Sequence, residues 1–467
     1  MRCVGIAERI LGFVLVMMAV SSLQAEPVAL WAIDDMVRIN PETGKAFEDN
    51  AAQLPGGING DYHQANSVWS AKDRTVTLKA ARNEVVAFQV IIEGQASRVF
   101  VKASSLKGSG GTIDAGQVKL FREWYVPVTE AQGKEASKAC MAPLGGGWYP
   151  DVALPLDVPT FGNGFAIPSR DFRTVDGVRP KQVNQAIWVD VLVPADARPG
   201  EYTGSISVTA DGVEQAVAVR VNVWPFEIPR QMGMHAELMN YGDTSREPDP
   251  AIMYDYFRLA HEHRTFISDD KVKPIYDGKD YDWKDFDARF GPLFTGEAFT
   301  DGPCAGVAIA YWSFPITYHV ERPDKGPDKM AGDDWPVTAP KTKTNYGVQF
   351  TDAFKKTLGQ AMSQWEAHFV KKGWLGTRHG IFQNSIDEPG FHSSGAGLEA
   401  GREQAVAIYE TAKLVKDLGL KLVFYKLDIG GGNIRNKLDL DGNGQCEGTV
   451  DVANYLAPVV EMFSIHG

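Results

Sequence analysis

The chain has 467 residues, enough for two or three domains with sizeable cores. Its formal net charge is −12, from 59 acidic and 47 basic side chains, and an acid-rich chain of this kind is a poor candidate for binding nucleic acid. Four cysteines, widely spaced, form no metal-ligand cluster and no dense disulfide framework.

Residues 1–25 read as a secretory signal, with Arg2 and Arg9 as the positive start, an apolar stretch over 10–20 too short to span a bilayer, and Ala25 ending a cleavage site. Cleavage makes the expected product secreted or periplasmic, with no membrane span; retention would leave it membrane-anchored. Cys140, Cys304 and Cys446 then remain and allow at most one disulfide.

Residues 26–230 have a β pattern. In 75–80 and 85–92 β-branched residues dominate, and Val86, Phe88, Val90 and Ile92 alternate. Three further strands are expected over 186–193, 202–209 and 213–223, the last two joined by the Asp211-Gly212 hairpin signal. Val217, Val219, Val221 and Val223 share one face, opposite Ala218, Arg220 and Asn222, as in a half-buried antiparallel sheet. The Gly- and Pro-rich span 140–180 reads as a long loop. An N-terminal antiparallel β-sandwich is the expected architecture.

From 231 to 467 strands alternate with helices. Asp249 caps a helix that has Pro250 at its first position and Met253, Tyr256, Phe257 and Ala260 as its stripe. A second helix starts at Thr351-Asp352, carries Phe354, Leu358, Met362, Trp365 and Phe369 at helical spacing, and stops at Gly373; a third covers 402–418. Candidate parallel strands fall at 234–240, 266–274, 306–314, 380–386, 422–427 and 462–466. This alternation points to a TIM-like (β/α) barrel with six of eight strands, and hence to a sequence truncated within that domain.

The fourth of these strands runs into Asp387-Glu388-Pro389-Gly390. Pro-Gly ends the strand, so two carboxylates stand at the end where barrel enzymes gather their catalytic groups; a solvated acidic turn is the plainer reading. Asn240, Tyr241, Tyr311, Trp312 and Tyr425 fall near the ends of strands one, three and five, as sugar-stacking or polar contacts or as ordinary packing. The span 321–346 is a lid or a plain loop.

Several blocks together resemble one family. Ala80-Ala-Arg-Asn-Glu84, Trp188-Val-Asp190 through Gly204, Val223-Trp-Pro-Phe-Glu-Ile-Pro229, Ala260-His-Glu-His-Arg264 and Asp387-Glu-Pro389 resemble glycoside hydrolase family 123 and its uncharacterised relatives, over most of the mature chain. The resemblance implies a β-sandwich followed by a catalytic barrel. It also implies exo-acting β-N-acetylgalactosaminidase activity on glycans such as glycosphingolipid head groups, with the catalytic pair at Asp387 and Glu388.

Adjacent carboxylates do not easily straddle a sugar as a two-carboxylate retaining site requires, but they suit hydrolysis in which the substrate's 2-acetamido oxygen replaces the enzyme nucleophile. Glu388 is then the general acid and base, and Asp387 accepts the acetamido N–H. Another glycosidase specificity and a non-catalytic carbohydrate-binding protein are the competing readings. No cofactor is required. His261-Glu262-His263 has the wrong spacing for zinc, because side chains two apart on a helix diverge. Asp439, Asp441 and Asn443, with Gly444, match the start of a calcium loop, but Val450 stands where its closing Glu belongs. A structural calcium ion and a solvated Asn-Gly turn both fit. Oligomeric state is not legible in the sequence.

Overall fold

The computed structural model describes residues 28–49, 60–128, 146–169, 180–231, 236–239, 247–268, 274–276, 280–316, 321–322, 326–327, 352–383, 398–430, 435–438 and 451–466. The chain divides into two compact units, Met1–Glu227 and Ile228–Gly467.

In the first unit one sheet contains β1 (Ala29–Asp34), β2 (Thr75–Arg82) lies in a second, and β3 (Val85–Glu93) returns to the first. The remaining long strands are β4 (Ala96–Ala103), β5 (Val118–Val128), β6 (Gly147–Pro155), β7 (Asn184–Leu192), β8 (Gly200–Ala210) and β9 (Val213–Glu227). The first sheet has the order β1-β3-β7-β5-β6, and the second runs through β4-β8-β9-β2 with short strands attached. Most pairings are antiparallel, as expected; β9 and β2 pair in parallel. Residues of both sheets, among them Phe88, Val90, Ile187, Val189, Ile206 and Val219, form one buried cluster, as in a sandwich.

Local chemistry explains the β8-β9 hairpin. Asp211 and Gly212 both have positive φ, 47° and 86°, as a two-residue turn matched to strand twist requires. The Asp211 carboxylate also accepts the Ser97 and Arg98 backbone N–H groups, each at 2.9 Å, so the turn is tied to β4. Beyond it, Val217, Val219, Val221 and Val223 are buried while Ala218 and Arg220 are exposed.

The span expected to be a loop contains a nine-residue strand, β6, paired with β5. Pro150 and Pro155 hide it in the sequence, yet β6 is the edge of its sheet, where a missing N–H is tolerated.

The second unit contains β10 (Ala236–Met239), α1 (Pro250–Glu262), β11 (Thr265–Ser268), α2 (Lys284–Thr295), β12 (Tyr311–Ile316), α3 (Asp352–Lys372), β13 (Arg378–Gln383), α4 (Leu398–Asp417), β14 (Val423–Gly430), α5 (Val452–Leu456) and β15 (Met462–His466). β10 and β11 pair in parallel, and β12-β13-β14-β15 form a four-stranded parallel sheet. All six expected strands are present, with helices between most of them. The described residues show this parallel α/β arrangement and not a closed eight-stranded barrel. Among them no helix is long and apolar enough to cross a membrane.

Asp249 caps α1 by accepting the Ala251 N–H at 2.9 Å. Met253, Phe257 and Ala260 are buried, whereas Tyr256, expected on that stripe, is 49% exposed and His261 is buried instead. On α3, Leu358, Met362, Trp365 and Phe369 are fully buried. Gly373, with φ 75°, ends the helix in the left-handed conformation that favours glycine. Helix α2 is unexpected: Gly291-Pro292 reads as a turn, but Phe286, Phe290, Leu293 and Phe294 bury one helical stripe around it.

Candidate active site

The alternation of a strand decides which side chains reach which layer. In the parallel sheet Trp312 pairs with His379, His379 with Val423, and Ile381 with Tyr425, so these residues share a face. It is the helix-packing face. The Trp312 ring lies 5.2 to 6.1 Å from the rings of Phe257, Phe286, Phe290 and Phe294 on α1 and α2. His379 lies 4.1 Å from Phe369 and 5.6 Å from Trp365 on α3.

Trp312 and Tyr425 are 0% and 1% exposed. Both are core residues, which corrects the expectation that they form sugar contacts at a rim. Large aromatic side chains stabilise a parallel sheet by filling the layer beneath its helices, and their sequence position near a strand end says nothing about which face they take. Asn240 and Tyr241 lie outside the described residues. So do Asp387 and Glu388, four and five positions past the C-terminal end of β13. Asp439, Asp441 and Asn443 of the calcium-loop motif lie outside them as well, as does most of the span 321–346.

The opposite face of the sheet carries Tyr311, which the sequence places with Trp312 near the end of strand three and which is also buried in the core, and with it Gly380, Ser313 and Lys426, which sequence reasoning passed over. Tyr311 packs its ring 4.8 Å from Phe266 and 6.1 Å from Phe424. Gly380 sits beside Tyr311 with no room for a side chain, since a Cβ there would meet the Tyr311 ring at 2.6 Å. Lys426 is 2% exposed, and its Nζ lies 5.5 Å from the Tyr311 ring centroid, a cation over an aromatic face. Ser313 is also buried on this face. Two signals were available in the sequence. A glycine inside an apolar strand marks close approach, and a lysine inside Leu422-Val-Phe-Tyr-Lys-Leu427 marks a charge with a specific environment.

The titratable groups that burial perturbs belong mostly to packing. His379, wholly enclosed by apolar rings, has its pKa pushed down to about 3 by burial, and neither ring nitrogen has a hydrogen-bond partner among the described residues. His261 is pushed down to about 4, again chiefly by burial, and stacks on Phe299 with centroids 3.7 Å apart. His263, two residues on, has its Nδ1 2.8 Å from the Leu259 carbonyl oxygen. The two imidazoles are thus engaged separately, as their spacing on α1 implies.

His368 is lowered as well, by burial, which outweighs the opposing pull of the Asp287 carboxylate 2.8 Å away. In the first unit Glu123, 6% exposed, is raised to about 8 by burial alone, and its Oε2 has no partner among the described residues.

A cavity of about 40 Å³ opens between Arg230, His261, Arg264, Cys304 and the stretch 307–310. It lies at the N-terminal ends of β11 and β12, the opposite end from Gln383, and holds one or two waters at most. Its cysteine is a free, buried thiol donating to the Arg230 carbonyl at 2.8 Å. Burial raises its pKa, so it is a structural rather than a reactive group.

Comparison with known proteins adds the family. The model of the glycoside hydrolase 123 N-terminal domain matches residues 56–210. No curated protein matches the chain. Among solved structures, a family 123 glycoside hydrolase from Clostridium perfringens, studied for glycolipid glycan hydrolysis, is 11% identical. The match covers 87% of this chain and 67% of that one, with a TM-score of 0.47. AvmM, which catalyses macrocyclization in alchivemycin A biosynthesis, matches 32% of this chain and 87% of its own at 10% identity and a TM-score of 0.17. A Bacteroides ovatus GH5 xyloglucanase matches 80% of this chain and 56% of its own, also at 10% identity and a TM-score of 0.17. Over residues 56–210 the chain thus matches the glycoside hydrolase 123 N-terminal domain, and that match is what relates it to glycoside hydrolase family 123.

Proposed function

We propose that the chain is an exported exo-acting glycoside hydrolase that removes terminal β-linked N-acetylgalactosamine, or another N-acetylhexosamine, by substrate-assisted retaining hydrolysis. One coincidence carries the reading. A chain with a glycoside hydrolase 123 N-terminal domain has an Asp-Glu pair a few residues past the C-terminal end of a parallel strand, Arg378–Gln383. In α/β folds ligands collect outside that end of the strands.

In this mechanism Glu388 protonates the glycosidic oxygen while the acetamido carbonyl oxygen of the same sugar attacks the anomeric carbon. The bond to the leaving group breaks, and a cyclic oxazolinium forms. Asp387 accepts the acetamido N–H, which aligns the oxygen for attack and offsets the positive charge that develops. Glu388, now ionised, takes a proton from the water that opens the ring, and configuration is retained. Both steps need only the substrate, water and the two carboxyl groups. Lys426 would contribute a fixed positive charge on the face of the sheet away from the helices, and the segment 1–25 would direct export.

A panel of aryl β-glycosides tests the reading. Hydrolysis of the N-acetylgalactosaminide or N-acetylglucosaminide without hydrolysis of the matching 2-hydroxy sugars is expected, together with inhibition by a thiazoline analogue. Glu388→Gln is expected to lower turnover about 10²- to 10⁴-fold, and Asp387→Asn to act in the same direction. Equal turnover of aryl β-galactoside would remove substrate assistance, and a full-length protein that binds these sugars without cleaving any would be a carbohydrate-binding protein.

A further inference from the structure

The segment Val223-Trp-Pro-Phe-Glu-Ile-Pro229, conspicuous in the sequence, is not used by the proposed reaction. Val223 pairs with Ala80 and Glu227 with Arg82, so Trp224, Pro225 and Phe226 together stand against Ala81 alone. This bulge ejects three residues from the ladder, and Pro225 has no N–H to leave unpaired there. Trp224 and Phe226 are left 41% and 54% exposed. Their ring centroids are 5.6 Å apart and their planes only 22° from parallel, so the two rings stack as one exposed aromatic cluster.

The neighbours of the pair are polar. Asn222 precedes it on the outward face of β9, and its side-chain amide makes no hydrogen bond among the described residues. The Trp224 indole N–H is likewise without an acceptor there. Arg220 and Glu201, across the β9-β8 ladder, form an exposed ion pair at 3.5 Å. Keeping two large aromatic rings in water forgoes burial that would otherwise stabilise the fold, which marks them as contact surface.

The chemistry of the patch selects among occupants. The centre of a protein interface is depleted in charge, whereas this one abuts an ion pair and a free amide. An anionic membrane would meet a chain of net charge −12. A neutral pyranose fits both halves: its C–H face stacks on the rings, and its hydroxyl or acetamido groups reach the uncommitted donors and acceptors.

We propose that Trp224 and Phe226, with Asn222 beside them, form a docking platform on the N-terminal unit for a pyranose unit of a neutral glycan. The choice of glycan rests on the glycoside hydrolase reading above.

The test uses the full chain labelled with ¹⁵N-tryptophan and titrated with N,N′-diacetylchitobiose. The Trp224 indole resonance is identified by its absence in Trp224→Phe. It is expected to shift saturably, and equally so in Glu388→Gln. Phe226→Ala should weaken the Kd read at that resonance at least tenfold, with the other indole resonances unmoved, while Phe226→Tyr preserves it.

A Trp224 resonance that stays still throughout the titration overturns the platform, as does a Kd unchanged by Phe226→Ala. The two readings fail separately. A protein that cleaves aryl N-acetylhexosaminides with a stationary Trp224 signal retains the enzyme and loses the platform. A protein that cleaves nothing while Trp224 shifts retains the platform and loses the enzyme.

Discussion

His379 sits on the strand that leads to Asp387 and Glu388, where a histidine invites a catalytic reading, and its replacement by phenylalanine separates that reading from a purely structural one. The ring lies on the helix-packing face, 0% exposed, against Phe369 and Trp365. Burial holds its pKa down at about 3 against an ordinary 6.5. A depressed pKa means that the unfolded chain binds the proton more readily, so stability is full above about 6.5 and is lost as pH falls toward about 3. The shift corresponds to about 5 kcal/mol in full and to about 2 kcal/mol by about pH 5.

His261, lowered to about 4, adds a loss of about 2 kcal/mol at the same pH, so His379→Phe should remove roughly half of the acid sensitivity that these two histidines give the second unit. Packing a slightly larger apolar ring costs under about 1.5 kcal/mol at any pH and does not alter the slope. Hydrogen exchange of peptides covering 378–383 and 423–430, measured between about pH 7 and pH 5, reads the local opening free energy directly. It also avoids treating a chain of two units as two-state. Hydrolysis at neutral pH should survive the substitution. An unchanged pH slope would refute the burial argument. Loss of hydrolysis with normal protection would place His379 at the substrate and refute its assignment to the core.

The opposite sign is expected in the first unit. Glu123 is raised to about 8 from 4.5, so its contribution to stability is intact below about 4.5 and is lost as pH rises through about 8. Glu123→Met should stabilise that unit above about pH 8 by up to about 5 kcal/mol and flatten its exchange profile between about pH 5 and 9; a profile as steep as the wild type's would count against it. Gly380→Ala drives a methyl group into the buried Tyr311 ring and should cost about 1–3 kcal/mol by denaturant midpoint. The loss should shrink in a Tyr311→Leu background, and equal losses in both would show that the two residues do not conflict.

What was legible in the sequence was what short-range chemistry controls. The Asp211-Gly212 turn, the Asp249 cap, the Gly373 stop and the alternating valines of β9 each rest on residues a few positions apart, and each is in place. Elements that contradict their own local signals were missed. Pro150 and Pro155 belong to a strand because it is an edge, and Gly291-Pro292 lies in a helix because Phe286, Phe290, Leu293 and Phe294 have a core to fill. The candidate site was legible only as a motif. Trp312 and Tyr425 were chosen for type and position, and the face a strand residue takes depends on register with its neighbours, which no single strand's sequence discloses.

That register also divides the chemistry of the second unit. Along β13, Arg378 and Gly380 point one way, His379 and Ile381 the other, and the paired positions on β12 and β14 follow suit. The helix-packing layer is aromatic and nearly free of charge. Trp312 and Trp365 leave their indole N–H groups without acceptors among the described residues, and His379 is kept neutral. Groups held this way in an apolar layer resist charging, so they answer to pH through stability rather than through reaction.

The other layer packs Tyr311 against the bare backbone of Gly380 and beneath a buried ammonium at Lys426. A glycine that admits a ring and a lysine held out of water serve a face on which groups are positioned rather than merely packed. A strand that carries both layers is held from the helix side by aromatic packing and presents a differently built face, of Tyr311, Gly380 and Lys426, on its other side. In the reaction proposed above, an Asp-Glu pair leaving such a strand would use that division, because Asp387 and Glu388 would have separate tasks and the strand before them would stay fixed while a proton moves.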